Sequence, residues 1–472
     1  MYSLLWLISL STASPVGTEA PEIDWNKKVD FAEMEVEASV LLSQYLQVDT
    51  TNPPGNESEG ADFLASVLTS DGIESKIVSF APNRGSLIAK LSGSGEEGAL
   101  CLVSHIDVVT AEPKAWKNPP FSGRITDDAI WGRGAIDMKG TGAIQLQILR
   151  TLHRLNVPLR RDIVLLALAD EEVENGGVQH VLDQHWEDIQ CTHAINEGGL
   201  GVKNLLFPGQ DVFAISVGEK GVLWLQLTAK GRPGHGSTPR PEQSTDILLA
   251  ALQRIRSHQE AFSPPDAFYQ LLDQAGRQKG GITGWILRQP RLVRMLLKKR
   301  IREQPLANAG TSNTINLTGL EGRVAPNVIP SQASAILDIR ILPGTTTQEM
   351  LHRIESIVDD KRIQLEILSA KEARVSPLHD PVFTALKNAS EAALPGAVAG
   401  PVISVGFTDS VYLRQKGVHA YGLAPFMMSE EELLGMHGHN ERLSMENLAL
   451  GLRIYWNAIL ALSLDSSPSA PR

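Results

Sequence analysis

The chain has 472 residues, 42% hydrophobic and 21% charged, with 40 glycines and 27 prolines, a composition that suits a soluble globular protein of two domains, or of one domain carrying an insertion. A net charge of −11 and an aromatic content of 5% exclude nucleic acid as a partner, since no long basic run faces phosphates and few rings could stack on bases. Only Cys101 and Cys191 occur. No Cys-x-x-Cys metal site is therefore possible, and the two, set in or beside apolar stretches, are expected as free buried thiols rather than a disulfide.

The first stretch, "MYSLLWLISLSTASP", is too short to span a bilayer. It resembles the apolar region of a secretory signal, although it lacks a basic start. Export, by secretion or to a periplasm, is the expectation, with a cytoplasmic location as the alternative. Nothing later reads as a stable membrane span. Residues 14–28 are a polar linker, so 1–28 forms a signal-like segment plus linker. "VDFAEMEVEASVLLSQYLQ" has helical apolar spacing, "TNPPGNESEG" is a loop, and "GALCLVSHIDVV" is a buried strand. "TGAIQLQILRTLHRL" is an amphipathic helix, "RDIVLLALA" a second buried strand, and "EDIQCTHAINEGG" holds a third that ends in Glu197. Continuous apolar strands alternating with helices predict an α/β fold, a mostly parallel sheet flanked by helices.

The pattern changes near residue 217. "KGVLWLQLTAKG", "TINLTGLEG" and "SQASAILDIRIL" alternate apolar with polar residues, and "STDILLAALQRI" is helical. They predict a small α+β domain, residues 218–344, with a four-stranded antiparallel sheet and one open face. It is inserted between the two parts of a larger domain, residues 29–217 and 345–472. The basic stretch within 257–310, "LVRMLLKKRIRE", reads as a surface helix, with a membrane-touching helix as the alternative.

Chemistry-bearing residues cluster at strand ends and in glycine-rich loops. "SHIDVV" presents His105 and Asp107, two apart and so on one side of an extended segment. "WGRGAIDMKG" places Asp137 just before a helix, where a capping role is the plain alternative. "LALADEEVENGG" ends a buried strand in Asp170, Glu171 and Glu172, and "AINEGG" adds Glu197. Such adjacent carboxylates need a positive partner. "GMHGHNERLS" supplies His437 and His439. Two imidazoles and three carboxylates at the ends of parallel strands match two zinc ions sharing one carboxylate, roughly 3.5–4 Å apart.

Together "SHIDVV", "PPFSGRITDDAIWGRGAIDMKG", "ADEEVENGG", "NEGG", "GRPGHGSTP", "DIRILPG", "GFTDS" and "HGHNERLS" resemble the di-zinc aminoacylase/carboxypeptidase family, peptidase family M20, closest to its carboxypeptidase S branch. The resemblance implies that His105 and Glu197 complete one zinc site and Glu172 and His437 the other, with Asp137 bridging both. Cobalt or manganese could replace zinc on such ligands. His437 is preferred to His439 because it stands at the family's His-Gly position. Asp107 would orient His105, and Glu171 would be the general base. The small domain would be the family's lid and dimerisation domain. His235 would reach the site of a partner subunit as oxyanion donor, which implies a homodimer. Asn327 and Arg340 would hold the substrate carboxylate, and Gly406 and Thr408 would line that subsite. The expected activity is hydrolysis of an amide or peptide bond next to an amino acid with a free carboxylate, of the carboxypeptidase type. The alternative is an N-acyl amino acid deacylase (aminoacylase), and the substrate a small peptide or N-acyl amino acid. A non-catalytic metal-binding protein is disfavoured, because no ligand position is replaced.

Overall fold

The computed structural model describes residues 23–95 and 97–465; the signal-like start lies outside them. In chain order the main strands are β1 (Ser75–Ala81), β2 (Arg84–Leu91), β3 (Glu97–His105), β4 (Arg161–Leu168), β5 (Cys191–Val202), β6 (Val212–Glu219), β7 (Gly221–Lys230), β8 (Thr314–Glu321), β9 (Gln332–Ile341), β10 (Ile363–Lys371), β11 (Val398–Ser404) and β12 (His419–Met428). The main helices are α1 (Phe31–Leu46), α2 (Glu57–Ser70), α3 (Lys139–Arg154), α4 (Gly176–Gln184), α5 (Ser244–Ser257), α6 (Asp266–Lys279), α7 (Thr347–Val358), α8 (Pro381–Ala393), α9 (Ser410–Gln415) and α10 (Met445–Ser463).

Eight strands form the large sheet in the order β1-β2-β4-β3-β5-β12-β6-β11. Its centre, β4-β3-β5-β12, is parallel. These strands read as unbroken apolar runs because both faces are covered. Leu100 and Leu102 of β3 pack into the core shared with α1, α3, α8 and α10. Cys101 and Val103 point the other way, toward α4 and α9. Asp30 starts α1 by accepting the backbone N–H groups of Ala32 and Glu33.

The cysteine expectation is corrected. Cys101 and Cys191 form a disulfide between neighbouring strands, with Cα atoms 5.8 Å apart, within the range a disulfide spans. Two buried thiols on one face of adjacent strands have no other partner so close.

The small sheet has the order β8-β9-β7-β10, all antiparallel. Helices α5 and α7 cover one face through Ile247, Leu248, Met350 and Ile354. α7 and β10 therefore complete this sheet, whereas the sequence reading returned the chain to the large body at 345. An amphipathic helix and a short alternating strand look alike in either place; only the pairing of β10 with β7 decides. A single residue, Lys220, separates β6 from β7. Its buried ammonium donates to the carbonyls of Ala309 and Ser312. The returning chain bridges Val375 to Gly218 beside this crossing.

Two further differences concern local signals. The "TNPPGNESEG" loop ends at Asn56, and α2 begins inside it, with Glu57 buried against Arg84. The basic stretch is not one helix. It is interrupted at Leu297, between helices Pro290–Leu296 and Lys298–Glu303, while Gly280 and Gly281 at φ 63° and 60°, Pro290 and Pro305 stand at the other breaks that divide residues 266–309 into α6 and four shorter helices. α6 packs Leu271 on Val212 and Val398 of the large sheet.

Candidate metal centre

The centre is built where β3 and β4 release their chains into loops and, on β5, at Glu197, which does not end its strand as expected but lies within it, where the pairing with β12 shifts register between Asn196 and Leu200. His105 closes β3 and is buried. Its Nδ1 donates to the backbone carbonyl of Asp107 at 2.8 Å. That fixes Nε2 as the free ligand atom, 3.1 Å from Asp137 Oδ1 and 3.7 Å from Glu197 Oε1. The Asp107 carboxylate lies 3.6 Å from Nδ1. Its closer work is to accept the backbone N–H groups of Glu171 and Glu172, each at 3.1 Å. Asp107 thus orients the histidine mainly through its carbonyl and the two glutamates through its side chain.

Asp137 does not cap α3. Met138 takes the cap position, with no side-chain bond to the helix. The two oxygens of Asp137 face different histidines, Oδ1 toward His105 and Oδ2 toward His437 Nε2 at 3.1 Å. His437 Nε2 also lies 3.2 Å from Glu172 Oε1. His437 sits at φ 54°, a left-handed backbone conformation of the kind that concentrates at functional sites. His439 is exposed, and no hydrogen bond or ion pair joins it to the cluster among the described residues.

Of the acids after β4, Asp170 has a cationic partner, Arg84, which it shares with Glu57. At φ 71° its Oδ1 receives the Arg84 guanidinium and the Asn52 amide, while Oδ2 accepts the N–H of Gly176. The positive charge beside this one carboxylate is an arginine, not a metal ion. Glu171 and Glu172 turn inward, and Glu174 is exposed.

Asp107, Asp137, Glu171, Glu172 and Glu197 converge on two imidazoles, and Asp409 joins them unforeseen. Buried and hydrogen-bonded to the Asn175 amide, Asp409 is pushed by burial up to about 7. Burial, then the Glu197 charge, raises Glu171 well above the usual carboxylate range; burial and Asp137 do the same to Glu197. Hydrogen bonds from His437 to Asp137 and Glu172 raise its pKa to about 10. For Asp137 burial works upward, but the bonds to His105 and His437 outweigh it and hold the carboxyl low. Protons and imidazolium charge therefore balance a surplus of carboxylates here, the role divalent cations fill better. The donor set, imidazole nitrogen with carboxylate oxygen, is one that zinc accepts.

A second unforeseen acid holds the loops together. Buried Glu441 receives Arg133 Nη1 at 2.7 Å and the backbone N–H groups of Gly134, Ile136 and Asp137. Arg133 Nη2 in turn donates to the Gly438 carbonyl at 2.7 Å. The Asp137 and His437 loops are thereby one unit.

The expected lid residues stand apart from this cluster. His235 is exposed on a two-residue strand, Gly234–His235, paired with Val328–Ile329, and its Nδ1 meets the Ser237 hydroxyl at 2.8 Å. Asn327 is exposed beside it, its carbonyl accepting the Gly236 N–H. Arg340 spends its fork on Asp338, at 2.8 and 3.2 Å. Among the described residues no hydrogen bond or ion pair links these three to the cluster. Gly406 is exposed at the end of β11. Thr408 is buried, donates to Glu219 Oε1 at 2.8 Å, and borders Gly198 next to Glu197.

The profile described as "Peptidase family M20/M25/M40" matches residues 101–461. The N-fatty-acyl-amino acid synthase/hydrolase of Homo sapiens is 31% identical over 376 residues, covering 78% of this chain and 74% of that protein. Aminoacylase-1B of Rattus norvegicus is 26% identical, covering 93% and 98%. An M20 family metallo-carboxypeptidase from Sulfolobus solfataricus shares the fold with a TM-score of 0.64 at 17% identity, over 90% of this chain and 99% of that one. Human carnosine dipeptidase 1 gives 0.64 at 16%, over 94% and 99%.

Proposed function

Because the chain belongs to peptidase family M20/M25/M40 and is a metal-dependent hydrolase of amide bonds, we propose that two zinc ions are its native metals and that N-acyl amino acids or small peptides with a free carboxylate are its substrates. The observation that carries this is Asp137, whose two oxygens each face a different histidine nitrogen. His105 and Glu197 would hold one ion, Glu172 and His437 the other, and Asp137 both. Ions bound there supply an acidified water, toward a pKa of about 7, and a Lewis acid for the scissile carbonyl.

The chain's own groups do the rest. Glu171, its backbone fixed by Asp107 and its carboxyl basic for an acid, accepts the proton of the attacking water and delivers it to the leaving amine. The products are a carboxylic acid or shortened peptide and a free amino acid. Replacing Glu171→Gln should leave bound zinc unchanged and lower kcat by at least about 100-fold; near-wild-type turnover would remove Glu171 from this role. A relative named for N-fatty-acyl-amino acids favours the deacylase over the carboxypeptidase reading. Comparing kcat/KM for N-acyl amino acids and for dipeptides decides between them.

His235, too far out to join the cluster of its own chain, suits donation of an oxyanion bond to a second subunit, with Asn327, Arg340, Gly406 and Thr408 forming the carboxylate subsite when the lid closes. Mixing His235→Ala with Glu171→Gln chains should restore part of the activity that each homodimer lacks, since one mixed site has both groups. No recovery in a mixed dimer would place His235 elsewhere. The Cys101–Cys191 bond supports an oxidising destination reached by export, and fractionation of producing cells tests it.

A further inference from the structure

A second group of ligand-type side chains lies at the other end of the parallel strands. His193 of β5 and His419 of β12 are register partners near the start of their strands. Their rings meet edge to face, with centroids 5.4 Å apart. Asp380, buried at the start of α8, uses Oδ1 to cap that helix through the Val382 N–H at 2.8 Å. Its Oδ2 is left for the histidines, 2.9 Å from His419 Nδ1 and 3.5 Å from His193 Nε2. The three ligand atoms all lie within 4.8 Å of one another.

We propose that His193, Asp380 and His419 form a further divalent-metal site, separate from the catalytic centre and suited to zinc. Tetrahedral zinc with bonds of about 2.0–2.1 Å puts its ligand atoms about 3.3 Å apart. The two distances bracket that value, and the His–carboxylate separations in the catalytic cluster, 3.1–3.7 Å, are alike. The Thr192 hydroxyl lies 3.0 Å from His193 Nδ1, the outer contact that orients a ligating imidazole and leaves Nε2 for the metal. The His419 side chain is 43% exposed, so water can reach a fourth position and an ion can enter. Arg161, whose field reaches Asp380, is ion-paired with Glu97.

An ion there would fasten β5, β12 and the start of α8 at one point. His193 stands four residues before Glu197, roughly 13 Å along the strand, so the site's role is structural and its occupancy independent of catalysis. The rival arrangement is a hydrogen-bonded His–Asp–His group without metal. Untagged wild-type protein, dialysed free of loose zinc, should carry one zinc equivalent more than His193→Ala or His419→Ala, by elemental mass spectrometry. kcat should stay within about twofold, which separates this site from the catalytic one. Crystals of the wild-type chain grown with zinc should show anomalous density between the three side chains, a readout that stands even if the variants fail to fold. Equal zinc content in wild type and folded variants, or no such density, overturns the proposal.

Discussion

Asp137 shows how far one side chain can decide a site. Its backbone N–H is held by Glu441 and its two oxygens by two histidines, so it cannot rotate without breaking both sides of the centre. The ligand types were legible in the sequence because histidine and acids at the ends of buried strands are costly unless something uses them. The choice between His437 and His439 was not set by chemistry, since both stand in one glycine-flanked loop; what distinguishes them is that His437 faces Asp137 and Glu172, whereas His439 has no bond to the cluster among the described residues. His437→Ala should therefore remove about one bound metal ion and most turnover, whereas His439→Ala should leave both near wild type. Metal content and kcat on the two purified variants check this. The positive partner that the adjacent acids call for was not legible for Asp170, because its arginine, Arg84, comes from a distant part of the chain that no local pattern announces.

At the level of elements, loops from three strands meet in a fixed relation because buried carboxylates tie them. Glu441 accepts three main-chain amides and an arginine, a task that depends on loop paths and leaves no periodic trace. Asp409 was hidden for the same reason, although "GFTDS" was visible. Glu441→Gln replaces one accepting oxygen with a donor facing other donors. The Asp137 and His437 loops should loosen, and metal affinity should fall about 10–100-fold, read by competition with a chelator; unchanged affinity would show that the loops hold without it. The central strands and their helices were legible from apolar continuity. The β1–β2 pair was not, because its residues alternate weakly at the sheet margin, and β10 was assigned to the wrong sheet because pairing is not a local property.

Across the whole molecule, the Cys101–Cys191 bond joins two strands that deliver His105, at the end of β3, and Glu197, within β5. Closing a loop over a sequence separation of 90 restricts the unfolded chain, which is worth about 2–5 kcal/mol. The double variant Cys101→Ser, Cys191→Ser should lower stability by that order in denaturant unfolding. A shift near zero would mean that the packing of β3 on β5 suffices. The bridge between Gly218 and Val375 has a wider meaning. Where a polypeptide departs and comes back at adjoining points, the excursion between them can be gained, exchanged or trimmed without prising the parent strands apart. Ancestry can then be read separately in the two bodies: the large sheet that carries the clustered acids and imidazoles is under one set of constraints, while the grafted appendage is free to drift in size and shape under another.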